Sequence, residues 1–252
     1  MSNHPTPKNK PFIMLWKIGA KKTLVLETEN DYAYVIQPEN SNEIITQATG
    51  NDGKTEITFP DSGIYKLLIY STQIFKVKHL GNVDPDNQFL DVLQWGDIKW
   101  HPVLSFLFFD LQDFKISATD APHFSEDTSL KGMFKNATHF NSNISHWNVN
   151  QVTDMSYMFY NAKSFNQNIS NWDVFNTISV SHMFYGATNF NQDLTNWNLG
   201  SAIHKDAIFN TPEQSITCLG AENLKNHGMS NTLKIILAAA AVLGLLGYYF
   251  FT

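Results

Sequence analysis

His139 and His146 stand seven residues apart in the stretch "MFKNATHFNSNISHWNVN", and two imidazoles so placed on a regular scaffold could share a metal ion. The stretch recurs, and the recurrence dissolves the pair: twenty-five residues further on, the matching positions hold Ser164 and Asn171. His182 and Asp154 fall out of register with each other and make no triad. Asp154, Asp173 and Asp193 occupy three different repeat positions, so no column of calcium ligands forms. Cys218 is the one cysteine, which excludes an internal disulfide and a cysteine-based zinc site. No GxSxG, phosphate-binding loop, HExxH or GxGxxG motif occurs. The expectation is a chain with no catalytic residue, no metal and no cofactor. The sequons at Asn136, Asn143 and Asn168 are what an asparagine-rich repeat generates on its own.

What the chain does have is periodicity. Three copies align without a gap at a spacing of twenty-five residues. Met133, Met158 and Met183 coincide, each followed by Phe134, Phe159 and Phe184; then come Phe140, Phe165 and Phe190. Asn141, Asn166 and Asn191 follow directly, and Trp147, Trp172 and Trp197 close each copy. A unit of this length cannot bury its own apolar face, so stacking on neighbours must do it. The apolar positions of "MFYNAKSF" fit a short helix face and "ISNWDVF" an extended segment, which predicts a short leucine-rich-repeat-like solenoid. The asparagine column is expected to satisfy backbone groups rather than face a ligand. A degenerate turn over 108–132 precedes the array, with Phe108-Phe109 in the Met-Phe position, and Thr211-Pro212 stops it.

Before the repeats, short alternating runs such as "TLVLET", "YAYVIQ" and "GIYKLLIY" are separated by Asn, Asp, Gly and Pro, which predicts a small β-sandwich. The expected organisation is disordered residues 1–10, a sandwich over 11–85, a solenoid cap and degenerate repeat over 86–132, repeats over 133–210, and a linker over 211–232. Residues 233–251 carry seventeen uncharged residues in a row, the lower end of a membrane-spanning length. A transmembrane helix is expected there, with Ile235 and Leu245 in the apolar core and Tyr248 and Tyr249 at the interface. The fold class is thus mixed α/β with β dominant, and the C-terminal helix makes membrane lipid a partner. No classical signal peptide precedes it, so the expected location is a single-pass membrane protein of a cell surface or virion.

"FPDSGIYKLLIYS" resembles the last hairpin of PKD-like and bacterial Ig-like domains. "PFIMLWKI", "LQWGDIKW", "ATDAP" and "VTDMSYMFYNAKSFNQNISNWDV" together resemble the BspA-like surface proteins, over roughly residues 11–210. The resemblance implies leucine-rich-like repeats on bacterial or viral surfaces, credited with adhesion or protein binding, and it brings no catalytic residues.

The composition narrows the partners. Of 252 residues only 16% are charged, the net charge is −6, and all 17 basic residues are lysines. An acidic chain without arginine lacks the bidentate clamp for phosphate, so nucleic acid is not an expected partner. The expected function is non-enzymatic surface recognition or adhesion toward a protein or glycan ligand. A structural protein of a membrane-containing virion, self-associated or beside neighbouring shell proteins, is the alternative.

Overall fold

The structure is a computed structural model that describes residues 9–78, 80, 85–199, 202, 204–210 and 218. Twelve strands have defined bounds among them. They are β1 (Phe12–Ile18), β2 (Thr23–Glu29), β3 (Tyr32–Pro38), β4 (Thr46–Gly50), β5 (Gly53–Thr58) and β6 (Gly63–Tyr70), followed by β7 (Ile74–Val77), β8 (Gln88–Gln94), β9 (Lys99–Trp100), β10 (Lys115–Ile116), β11 (Thr128–Ser129) and β12 (Val152–Asp154).

Alternation dictates the first sheets. In β2, Leu24, Leu26 and Thr28 turn inward while the residues between them stay half-exposed, the period-two pattern of a strand with one buried face. β1 buries five of its seven residues, as a central strand does, and pairs antiparallel with both β6 and β8. The larger sheet runs β10-β8-β1-β6-β3-β4 and the smaller β5-β2-β7-β9. Phe12 of β1 meets Trp100 of β9 edge-on at 4.9 Å, and Tyr32 of β3 meets Phe75 of β7 at 5.4 Å, so one aromatic core joins the sheets. β8 lies beside the central strand β1, so the sheets extend past residue 85 into the segment read from sequence as the cap of the repeats.

The "LQWGDIKW" and "ATDAP" motifs meet at the end of β8. Asp120 accepts the backbone N–H of Trp95 and of Gly96, both at 2.9 Å. Gly96 holds φ +69° against the Lys10 and Pro11 carbonyls, where a Cβ would collide with backbone. A carboxylate taking two amide donors contributes about 1.5–3 kcal/mol. Asp120→Ala should lose that amount in a urea titration, with Asp120→Asn in between; an unchanged midpoint would refute the clamp.

Beyond residue 103 the chain winds in coils. The N–H groups of Leu130, Gly132, Phe134 and Asn136 donate to the carbonyls of Asp154, Ser156, Met158 and Tyr160 in the next coil, at 2.7–2.9 Å. The intervening N–H groups of Met133, Lys135 and Ala137 close tight turns onto Leu130, Gly132 and Phe134 at 3.0–3.1 Å. Met155, Tyr157, Phe159 and Asn161 repeat the arrangement onto Ser179, Ser181, Met183 and Tyr185. Alternate amides thus serve the coil and its neighbour.

This overturns the expected helix in each repeat. No described residue from 133 to 199 is helical. Two left-handed positions occur per coil, four residues apart: Gly132, Tyr157 and His182 at φ 56–60°, and Asn136, Asn161 and Gly186 at φ 56–76°. Right-handed helix excludes such residues, and it would also spend internally the amides that here bond coil to coil. The apolar spacing of "MFYNAKSF" comes from a chain of turns, which brings Phe and Phe together by other means. The degenerate first turn is also shifted by one. Phe108 stacks on Phe134 and Phe114 on Phe140, a spacing of twenty-six, so Leu107 and Phe108 occupy the Met-Phe position.

The expected C-terminal membrane helix is likewise corrected. Among the described residues no helix is long and apolar enough to cross a membrane. Ile235, Leu245, Tyr248 and Tyr249, with the rest of 233–251 and the expected linker 211–232, lie outside the described residues. The stretch sits at the bottom of the spanning length, and four consecutive alanines and two glycines thin its apolar content. The lipid partner and the single-pass location, which rested on that helix alone, go with it.

Candidate functional site

The coil interior fixes what the coil surface can present. Met133, Met158 and Met183 are fully buried beside two columns of phenylalanine. Phe108, Phe134, Phe159, Phe184 and Phe209 stack at 5.2–5.5 Å with ring planes within 13° of parallel. Phe140, Phe165 and Phe190 form the second column at 5.8–5.9 Å, and within each coil the two columns touch at 3.9–4.2 Å. Trp172 and Trp197 stack at 6.4 Å, and their indole N–H groups donate to the carbonyls of Ile144 and Ile169. Trp147 instead packs edge-on against Trp95, at the junction with the sheets.

Polar columns hold the bends. Asn141 Oδ1 accepts the N–H of Asn166 at 2.9 Å, and Asn166 Oδ1 accepts that of Asn191 at 3.0 Å. Gln167 and Gln192 donate to the same asparagines. A second ladder, unsuspected from sequence, runs through the left-handed position: Asn161 donates to Asn136 Oδ1 and Asn136 to Asp110. Asn143, Asn168 and Asp193 each accept the N–H two residues on, closing the same turn in three coils.

On the surface one strip departs from this polar pattern. Tyr157 stacks on His182 at 4.9 Å and 5°, and Tyr160 on Tyr185 at 5.4 Å and 11°. Phe106 and Phe109 meet edge-on at 5.8 Å one side over, on the first coil. Between them the second coil offers Gly132 instead of a ring, and the Phe106 ring lies where a Cβ would be. Lys135 Nζ fills the gap, 5.2 Å from the Tyr160 ring, 5.6 Å from Tyr157 and 5.8 Å from Phe109; Lys131 Nζ lies 6.0 Å from Tyr157. The rings and lysines are part-exposed except Phe106, which is exposed, and Gly132 is buried. No described carboxylate forms an ion pair with either lysine. Sequence reasoning passed over this strip because its residue types change from copy to copy. The signal was there in Tyr160 and Tyr185, twenty-five apart among polar positions.

The coil geometry coincides with a recognisable unit. Residues 103–219, just under half of the chain, match the family described as Mycoplasma protein of unknown function, DUF285. The match starts beside Leu104, whose N–H donates to Ser129, while parallel pairing at nearly the same spacing already joins β7 to β9 ahead of it and β8 to β10 across its start. No curated protein and no solved structure matches the chain.

Within residues 103–219 the histidines and carboxylates with possible chemistry have separate partners. His139 Nδ1 lies 2.7 Å from Asp113 Oδ1, while His146 Nε2 donates to the Asp120 carbonyl at 3.1 Å. Asp154 turns back to accept Ser156 N–H and O–H. No group of three His, Cys, Asp or Glu side chains among the described residues could hold a metal ion. Cys218 is buried, and its carbonyl accepts the Leu194 N–H at 2.7 Å. Burial pushes the Cys218 thiol from 9.0 up to about 11. The folded chain therefore keeps this proton longer than the unfolded one, and the resulting stability is present below pH 9.0 and lost as pH rises from there toward 11. In native protein at pH ~8, Cys218 should resist a thiol-disulfide reagent that modifies it at once in urea; equal rates in both states would contradict the burial.

Proposed function

We propose that the chain is a non-enzymatic recognition module of the adhesion type, which holds a protein or glycan ligand against the face of its coil stack. The observation that supports this most is the strip of Tyr157, Tyr160, His182 and Tyr185 beside Lys131 and Lys135. Tyrosine and histidine there offer apolar bodies with polar edges, the side chains that dominate binding hot spots when their surroundings are well packed. The coils beneath supply rigidity, so little ordering entropy remains to be lost on binding. The likeness of the repeat motifs to BspA-like surface proteins supports adhesion as the kind of recognition. The polar residues with any chemical potential are tied into turns and ladders, which supports a binding role over a catalytic one.

The test is to present the full chain to protein and glycan arrays beside a Tyr160→Ala/Tyr185→Ala variant. The reading stands if a ligand is retained and the variant weakens it about tenfold or more. It falls if neither array retains the chain, or if the variant binds as well as the parent.

A further inference from the structure

The strip's geometry separates ligand chemistries. Sugars bind aromatic side chains by lying on ring faces. Here the Tyr157 and His182 faces cover each other at 4.9 Å, as do those of Tyr160 and Tyr185 at 5.4 Å. Lysine ammonium groups lie over the Tyr157 and Tyr160 rings. With a ring on one face and a lysine on the other, Tyr157 and Tyr160 keep their edges and phenolic hydroxyls as the groups still open to a partner.

Charge points the same way. The chain as a whole carries −6, yet Lys131 and Lys135 sit four residues apart on a single coil, without a described carboxylate in ion-pair contact. Two carboxylates of the coils are engaged by other groups. Asp110 accepts from the Asn136 amide at 2.8 Å, and Asp154 accepts from Ser156 at 2.6 and 2.8 Å. Rings on both neighbouring coils hold Lys135 in place, so its ammonium is positioned before a partner arrives. Lys135 held between rings, with Lys131 beside Tyr157, gives the tyrosine strip two cations to offer to carboxylates.

We infer that this strip docks an acidic protein segment, whose Asp or Glu carboxylates pair with Lys131 and Lys135 and accept hydrogen bonds from Tyr157, Tyr160 and Tyr185. The inference rests on the recognition role proposed above and names its partner class.

Poly-L-glutamate serves as the probe and polygalacturonate, a carboxylate-bearing glycan, as its counterpart, each titrated into the full chain at low ionic strength. The parent should bind poly-L-glutamate more tightly than polygalacturonate, and Lys131→Gln/Lys135→Gln should weaken the former by about tenfold or more. Lys17→Gln/Lys99→Gln, which removes two exposed lysines from the sheets, should leave it within about twofold. Urea midpoints of both variants establish that they fold. Three results would overturn the inference: polygalacturonate binding as well or better, the strip variant binding undiminished, or both double variants losing equally. An array ligand that is neutral yet depends on Tyr160 and Tyr185 would sink this inference and leave the recognition role standing.

Discussion

Phe159→Ala is expected to destabilise the chain by about 3–5 kcal/mol, the cost of emptying a fully buried phenylalanine site that cannot collapse. Phe159 is completely buried and touches rings on three sides: Phe134 at 5.5 Å, Phe184 at 5.5 Å and Phe165 at 3.9 Å. Its own N–H and the carbonyls beside it are committed to turn and coil bonds, so backbone cannot move in to fill the hole. Phe159→Leu, which keeps most of the volume, should cost less than half as much. The measurement is the urea unfolding free energy by far-UV and tryptophan signals. A loss under about 1 kcal/mol would mean that the ring columns are not what holds the coils together.

Trp95→Ala should cost a similar amount, about 3–5 kcal/mol, but with a different signature. Trp95 is fully buried where the two halves of the chain meet. Its ring packs on Phe12 of β1 and Trp100 of β9, each at 5.5 Å, and on Phe108 and Trp147 of the coils at 6.2 and 5.4 Å. Losing it removes contacts from both halves at once, so their unfolding should separate. The parent is expected to melt in one transition and the variant in two, the criterion for broken cooperativity. A single, shifted transition in the variant would show that the Asp120 clamp and the Phe89 contacts with Phe108 and Phe114 suffice to couple them.

Much of this architecture could be read from residue order, and the reasons for the misses are local. The stacking partners were legible because ring spacing of twenty-five is a direct record of which side chains lie over one another. The conformation between them was not. A helix and a chain of turns can both place Met158, Phe159, Ala162 and Phe165 inward, and apolar periodicity does not distinguish them. The deciding feature is the left-handed backbone at Tyr157 and Asn161, and a tyrosine in that conformation has no sequence signature. The shift at Phe108 was hidden because an adjacent Phe109 fits the wrong register equally well. β8 was misplaced because "LQWGD" sits beside the coils in sequence while its strand pairs with one 71 to 81 residues earlier. The surface strip was hardest to see, since Lys135 and Tyr160 share a position but nothing in their chemistry says that one would cover the other.

The alternate amides have a mechanical meaning. Because the coil-to-coil hydrogen bonds lie along the axis of the stack, tension applied through its two ends loads them one layer after another. A layer that gives way releases about twenty-five residues of slack, roughly 80–90 Å, before the next bears the load. An attachment built this way stretches in steps instead of snapping, which is a useful property for anything that must stay bound while being tugged.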